Sequence, residues 1–178
     1  TQGVSSAASD VYKRQVIFNL TDGTYPSETF PIQFNASPFA SASNTLTIRP
    51  AAGTAVTING PASVNSIFKF LNAKYITLDG INTGGASLTL NSTYTSTFAN
   101  IWLASTTGTG PGCNNIALKN MNIVGGTNGT TVAWGILAGV DNGTTPTTTA
   151  GMDNDNITIQ GNTFTQLGYG IYAFGTLF

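Results

Sequence analysis

The line Tyr-Ile-Thr-Leu-Asp-Gly at Tyr75 to Gly80 comes back as Asn-Ile-Ala-Leu-Lys-Asn at Asn115 to Asn120 and as Asn-Ile-Thr-Ile-Gln-Gly at Asn156 to Gly161. Ile76, Ile116 and Ile157 are spaced 40 and 41 residues apart, and Leu78, Leu118 and Ile159 follow two places later. A period of two is that of a β-strand with one buried face. Its return at a fixed long interval marks a repeat architecture, in which each unit stacks on the last. A second line travels with the first: Ser-Ile-Phe-Lys-Phe at Ser66, Asn-Ile-Trp-Leu-Ala at Asn100, Gly-Ile-Leu-Ala at Gly135 and Gly-Ile-Tyr-Ala at Gly170, with Ile101, Ile136 and Ile171 each 35 residues apart. In its first member either Ile67 or Phe68 can align with Ile101. Turning Phe68 and Phe70 inward leaves the Lys69 ammonium outside, where a charge costs least, and that is the register expected here.

Further short alternating strands are predicted at Val16 to Leu20, Phe30 to Phe34, Thr45 to Ile48, Ala55 to Gly60 and Ser87 to Leu90, with no helical stretch between them. The connecting segments around Thr93, Thr107 and Thr145 are low-complexity runs of Asn, Thr, Ser and Gly, which make poor cores and good protruding turns. The class is therefore all-β, and the alignment of like residues on like favours a parallel solenoid, a β-helix, over residues 16–178. The alternative is an antiparallel β-sandwich, left open by the Asn-Gly pairs at Asn59, Asn128 and Asn142, each a hairpin-turn signal.

Residues 1–15 are set apart. Ser5 to Gln15 reads as the in-frame translation of a transposase-type sequencing adapter, a non-native leader excluded from fold reasoning. Without it Arg49, Lys69, Lys74 and Lys119 face six acids, a net charge of −2. Four scattered cations do not form the basic stripe that nucleic-acid binding needs. The longest apolar run, Val132 to Val140, is too short to span a bilayer and carries Gly135 and Gly139. His is absent from the sequence, and with it the commonest general base and metal ligand. The lone Cys113, in Gly-Pro-Gly-Cys-Asn-Asn, is expected as a small turn or core residue. The run Gly168 to Phe178 stops inside a repeat, so the sequence predicts a stack that continues beyond it.

The elements Ile-Thr-Leu-Asp-Gly-Ile, Asn-Ile-Ala-Leu-Lys-Asn-Met-Asn-Ile and Asn-Ile-Thr-Ile-Gln-Gly-Asn-Thr-Phe, each followed by a Gly-Ile type strand, resemble right-handed parallel β-helix proteins of the pectate-lyase-like superfamily. The opening Leu-Thr-Ile-Arg-Pro-Ala-Ala-Gly resembles the first coils of large secreted bacterial members. The resemblance implies inward aliphatics filling a bore, Asn and Gly at the corners, stacked Asn ladders, and an extracellular or cell-surface setting. It implies nothing specific about activity, because these motifs are structural.

Candidate sites are few. Catalysis on a glycan would need flanking carboxylates or Ca²⁺-binding acids, and only Asp153 and Asp155 stand close together. Their spacing could hold a cation, but a turn-initiating role is the simpler reading. Asp79 aligns with Lys119 and Gln160, the pattern of a solvated face with a weak ion pair. No catalytic residues and no cofactor are assigned. One outward row remains, Lys69, Trp102, Leu137 and Tyr172, whose aromatics could stack on sugar rings if exposed; the competing expectation is that a loop or neighbour covers them. The functional expectation is a non-catalytic surface or adhesin-like protein contacting a polysaccharide or cell-surface glycan, the alternative being a lyase or hydrolase whose active site lies in further coils.

Overall fold

The computed structural model describes residues 14–108, 110–126, 133–143 and 149–175. Within them the chain forms short strands and no helix. The strands are β1 (Arg14–Leu20), β2 (Ile32–Asn35), β3 (Asn44–Pro50), β4 (Ala55–Gly60), β5 (Ser66–Leu71), β6 (Lys74–Asp79), β7 (Ser87–Ser92), β8 (Phe98–Ser105), β9 (Pro111–Lys119), β10 (Met121–Val124), β11 (Ala133–Val140), β12 (Asp153–Asp155), β13 (Thr158–Gln160), β14 (Thr163–Thr165) and β15 (Tyr169–Ala173).

They build three sheets, in the orders β1-β3-β6-β9-β12 with β13 also on β9, β4-β7-β10-β14, and β2-β5-β8-β11-β15. Each pairing of these strands is parallel. Antiparallel bridges among the described residues are isolated ones in turns, Ser41 to Asn44 and Thr83 to Ala86. Asn59 does not open a hairpin: it ends β4, whose partner is β7, 32 residues on. The antiparallel sandwich is thus not what forms.

The two sets of columns predicted from the repeat, those of Ile76 with Leu78 and of Ile101, are inward columns of the first and third sheets, and the second sheet has one of its own. Phe18, Ile48, Leu78, Leu118 and Ile159 stand in register across the first sheet. Ile58, Leu90, Ile123 and Phe164 do so across the second. Ile32, Phe68, Ile101, Ile136 and Ile171 do so across the third. Phe68 opposite Ile101, with Lys69 beside Trp102, is the register expected. Residues from all three sheets share one apolar core that includes Leu78, Leu90, Phe70, Ile101 and Leu118. Burial of each such side chain contributes about 1.5–3 kcal/mol.

The corners explain the repeated Asn. Tyr75, Asn115 and Asn156, the first residues of the three repeated lines, all have left-handed backbone, with φ of 56°, 53° and 53°. Asn tolerates that region better than other side chains because its amide bonds locally. At the last position of the line, Gly161 has φ 66° and Asn120 φ 56°. Gly80 answers a different demand, since a Cβ there would overlap the Asn120 carbonyl oxygen of the next repeat. Side-chain amides also tie repeat to repeat: Asn91 Nδ2 donates to Asn59 Oδ1 (2.9 Å), and Asn162 Nδ2 to the Leu118 carbonyl (2.8 Å).

The first strand starts two residues before the Val16 expected from the sequence. β1 begins at Arg14, so Arg14 and Gln15, placed outside the repeat by the sequence, pair with Asn44 and Thr45. Parallel pairing uses main-chain groups and asks for no side-chain pattern, which is why alternation could not reveal it. The rest of the leader lies outside the described residues.

Candidate glycan-contact face

Lys69, Trp102, Leu137 and Tyr172 come from β5, β8, β11 and β15 and stand in one unbroken row. The structure thus brings all four together. It does not leave them open. Trp102 is 1% exposed, Leu137 is fully buried and Lys69 nearly so. Trp102 and Leu137 belong with Ala99, Ala104 and Trp134 to a second, smaller apolar cluster, against which Leu71 and Tyr172 pack. Since Ile101 and Leu103 belong to the main core and Trp102 and Ala104 to this cluster, the cluster sits on the outer face of the third sheet. Ala99 stands beside Trp134 in the pairing of β8 with β11, a small side chain next to a large one.

Solvent reaches the row at its last member. Tyr172 is half-buried, its ring 5.8 Å from that of Trp134 and 5.7 Å edge-on to Tyr169, which is exposed. Of the four row residues Tyr172 is the one that solvent reaches, with the exposed Tyr169 beside it, while Lys69, Trp102 and Leu137 are buried.

The sequence did not single out what holds Lys69. Its Nζ lies 2.8 Å from the Asp141 carboxylate and 4.7 Å from the centroid of the Trp102 ring. The side chains of Lys69 and Asp141 are 11% and 18% exposed. Asp141 follows β11 in a polar segment with no strand pattern. It is fixed there by its own N–H donating to the Ser105 carbonyl and by the Gly143 N–H donating to its Oδ1. The ammonium therefore has both a carboxylate and a ring face as contacts.

The remaining acids are dispersed. Asp153 and Asp155 are exposed on β12, opposite Pro111 and Asn114, with a register shift between them. Asn114 Nδ2 stands 3.5 Å from Asp155. Among the described residues no three His, Cys, Asp or Glu side chains group as a metal site would require. Asp79 meets Lys119 at 3.5 Å in the predicted row. Burial pulls its pKa up, but hydrogen bonds from Asn120 Nδ2 and the Ile81 N–H, with the nearby Lys119, outweigh that and hold it below 3.8. Cys113 proves to be a core residue within β9 rather than in a turn. Its thiol points at the Phe70 carbonyl (3.2 Å), and burial pushes its pKa up to about 11. No helix among the described residues is long and apolar enough to cross a membrane.

The fold and face together define an all-β protein of parallel sheets with a covered aromatic row. The chain matches no family model, no curated protein and no solved structure.

Proposed function

We propose that this chain is part of a right-handed parallel β-helix of the pectate-lyase-like kind, serving without catalysis as a rigid extracellular or cell-surface element of adhesin type. The observation that carries the reading is the stacking: the central repeats (β3 to β5, β6 to β8, β9 to β11) each supply one strand to each of three parallel sheets, and like residues stay in register from repeat to repeat. Right-handed winding follows the general preference of parallel crossover connections. A stack of this kind is stiff along its axis because every coil shares main-chain hydrogen bonds and a core column with its neighbours, which suits holding a surface at a distance.

Contact with a polysaccharide or cell-surface glycan falls in this reading to Tyr169 and Tyr172. Covering one ring contributes about 1–2 kcal/mol on the area scale, so a lone pair of rings binds weakly, in the millimolar range. The test is to incubate the chain with uronate-containing and neutral polysaccharides while following both retention and bond cleavage. The expected result is weak retention, reduced by Tyr169→Ala with Tyr172→Ala and unaffected by Trp102→Phe, with no new chain ends formed. Cleavage that vanishes in Asp153→Asn with Asp155→Asn would instead establish a lyase or hydrolase.

A further inference from the structure

Asn-Gly occurs at Asn59, Asn128 and Asn142. Asn128 lies outside the described residues, and the other two pairs have opposite surroundings. The dipeptide is reactive because glycine carries no Cβ to hinder its own amide nitrogen, which can then reach the side-chain carbonyl carbon of the asparagine before it. Whether it does depends on how freely the main chain between the two residues turns.

At Asn59 the main chain is held. Asn59 and Gly60 end β4 in register with Asn91 and Ser92 of β7. The Asn59 side chain accepts from Asn91 Nδ2 at 2.9 Å, and the Gly60 carbonyl accepts from the Thr93 N–H and hydroxyl. Gly60 is buried, and a Cβ on it would come to 2.8 Å from Ile67 Cγ1. Closing a five-membered ring there would take the main chain out of its extended range and break these bonds. At Asn142 none of this holds. Asn142 and Gly143 follow β11 outside any strand, and both are exposed. Asn142 stands at the tip of an Asx turn, in which the Gly143 N–H donates to Asp141 Oδ1 at 3.1 Å. Gly143 has φ 83°, and a Cβ on it would meet nothing within 4 Å.

We propose that Asn142 is a site of spontaneous covalent modification, at which the chain converts its own asparagine to aspartate and isoaspartate. The Gly143 nitrogen attacks Asn142 Cγ. A C–N bond forms as the bond from Cγ to the side-chain nitrogen breaks, and ammonia leaves with the proton given up by the Gly143 nitrogen. Water then adds to either carbonyl carbon of the cyclic imide, the ring C–N bond at that carbon breaks, and the Gly143 nitrogen takes a proton back. Opening at Cγ leaves aspartate. Opening at the main-chain carbonyl leaves isoaspartate, whose main chain runs through Cβ and Cγ. The sum is one water consumed and one ammonia released.

The neighbour gives the site its consequence. Asp141 lies 2.8 Å from the Lys69 ammonium, which stands over the Trp102 ring, and the Gly143 N–H is one of the contacts that fix Asp141. Isoaspartate puts an extra main-chain atom between the Cα of residue 142 and that nitrogen, so the turn no longer presents the N–H to Asp141. Conversion therefore loosens the ion pair beside Trp102. Neither step depends on the glycan-contact reading.

The test is to age the full chain in warm buffer at about pH 8 and map its peptides by mass at intervals. Residue 142 should gain one mass unit as two chromatographically separate products, aspartate and isoaspartate, roughly tenfold faster than Asn59, the scale of one additional hydrogen bond. In urea the two sites should convert at similar rates. The aged protein should unfold at lower denaturant than the fresh one, and Asn142→Gln, which would have to close a six-membered ring, should age without that shift. Aspartate alone at residue 142 would overturn the cyclic route, since direct hydrolysis of the side-chain amide yields no isoaspartate. Native Asn59 converting as fast as Asn142, or Asn142 persisting in the native chain while it converts in urea, would overturn the selection by the fold. A fully converted protein as stable as the fresh one would overturn the link to Lys69.

Discussion

Single residues show where a repeated position is a backbone demand. Tyr75 shares its left-handed φ with Asn115 and Asn156 but lacks the short amide that eases that conformation. Tyr75→Asn should therefore raise stability by about 1 kcal/mol, read as a shifted denaturation midpoint at unchanged slope; a loss would show that the phenol's packing outweighs the backbone. Asp79 gives a pH signature. Its folded pKa lies below the ordinary 3.8, so its contribution is complete at pH values above the unfolded pKa and is lost as pH falls through the folded one. Asp79→Asn should flatten stability against pH below about 4 and leave the slope near neutrality unchanged. Cys113, fully buried and with its pKa raised to about 11, should resist alkylation at pH 8 in the native protein and react only on unfolding.

At the level of strands, period-two alternation and like-to-like spacing sufficed to read most elements, because inward positions answer only to the core and recur in each repeat; the short strands β10, β12 and β14 were not read, and Asp153 and Asp155, expected to begin a turn, stand in β12. Ile101, Ile136 and Ile171 announced one column, and Phe68 joined it once Lys69 had been turned outward. The outer face was less legible. Alternation says which way Trp102 points but not whether something lies over it, and Trp134, which shares its cluster, stands outside the aligned row. The Lys69 and Asp141 pair was hidden for a related reason: Asp141 belongs to a segment without strand pattern, and its partner is 72 residues earlier and two strands away. The pair makes a prediction. Asp141→Asn leaves the Lys69 ammonium largely buried beside Trp102, and should cost about 2–3 kcal/mol, somewhat under the value for fully buried pairs because both groups keep some exposure. Lys69→Met with Asp141→Asn should recover most of that loss. A double variant as unstable as Asp141→Asn would mean that the aspartate's other contacts, at Gly143 and Ser105, carry the stability.

In the molecule as a whole, each strand contacts chiefly its neighbours in its own sheet, so stability is distributed along the three parallel sheets rather than pooled in one centre. The sequence displayed this order through its 40-residue spacing. A stack of this kind should open from its ends. Strands β6 to β9 have a neighbour on both sides in every sheet, while β1, β2 and β13 to β15 have one. Amide exchange in dilute solution should therefore be slowest for Ile76, Leu90, Ile101 and Leu118 and fastest at Val16 and Ile171, with a graded decrease between. The same picture sets apart two substitutions of similar chemistry. Leu118→Ala empties a fully buried position between Leu78 and Ile159 and should cost about 2–5 kcal/mol. Ile171→Ala, at an end and half exposed, should cost about 1 kcal/mol or less in dilute solution. Uniform protection from β1 to β15, or equal losses from the two substitutions, would show a single cooperative block in place of a stack that frays from its ends.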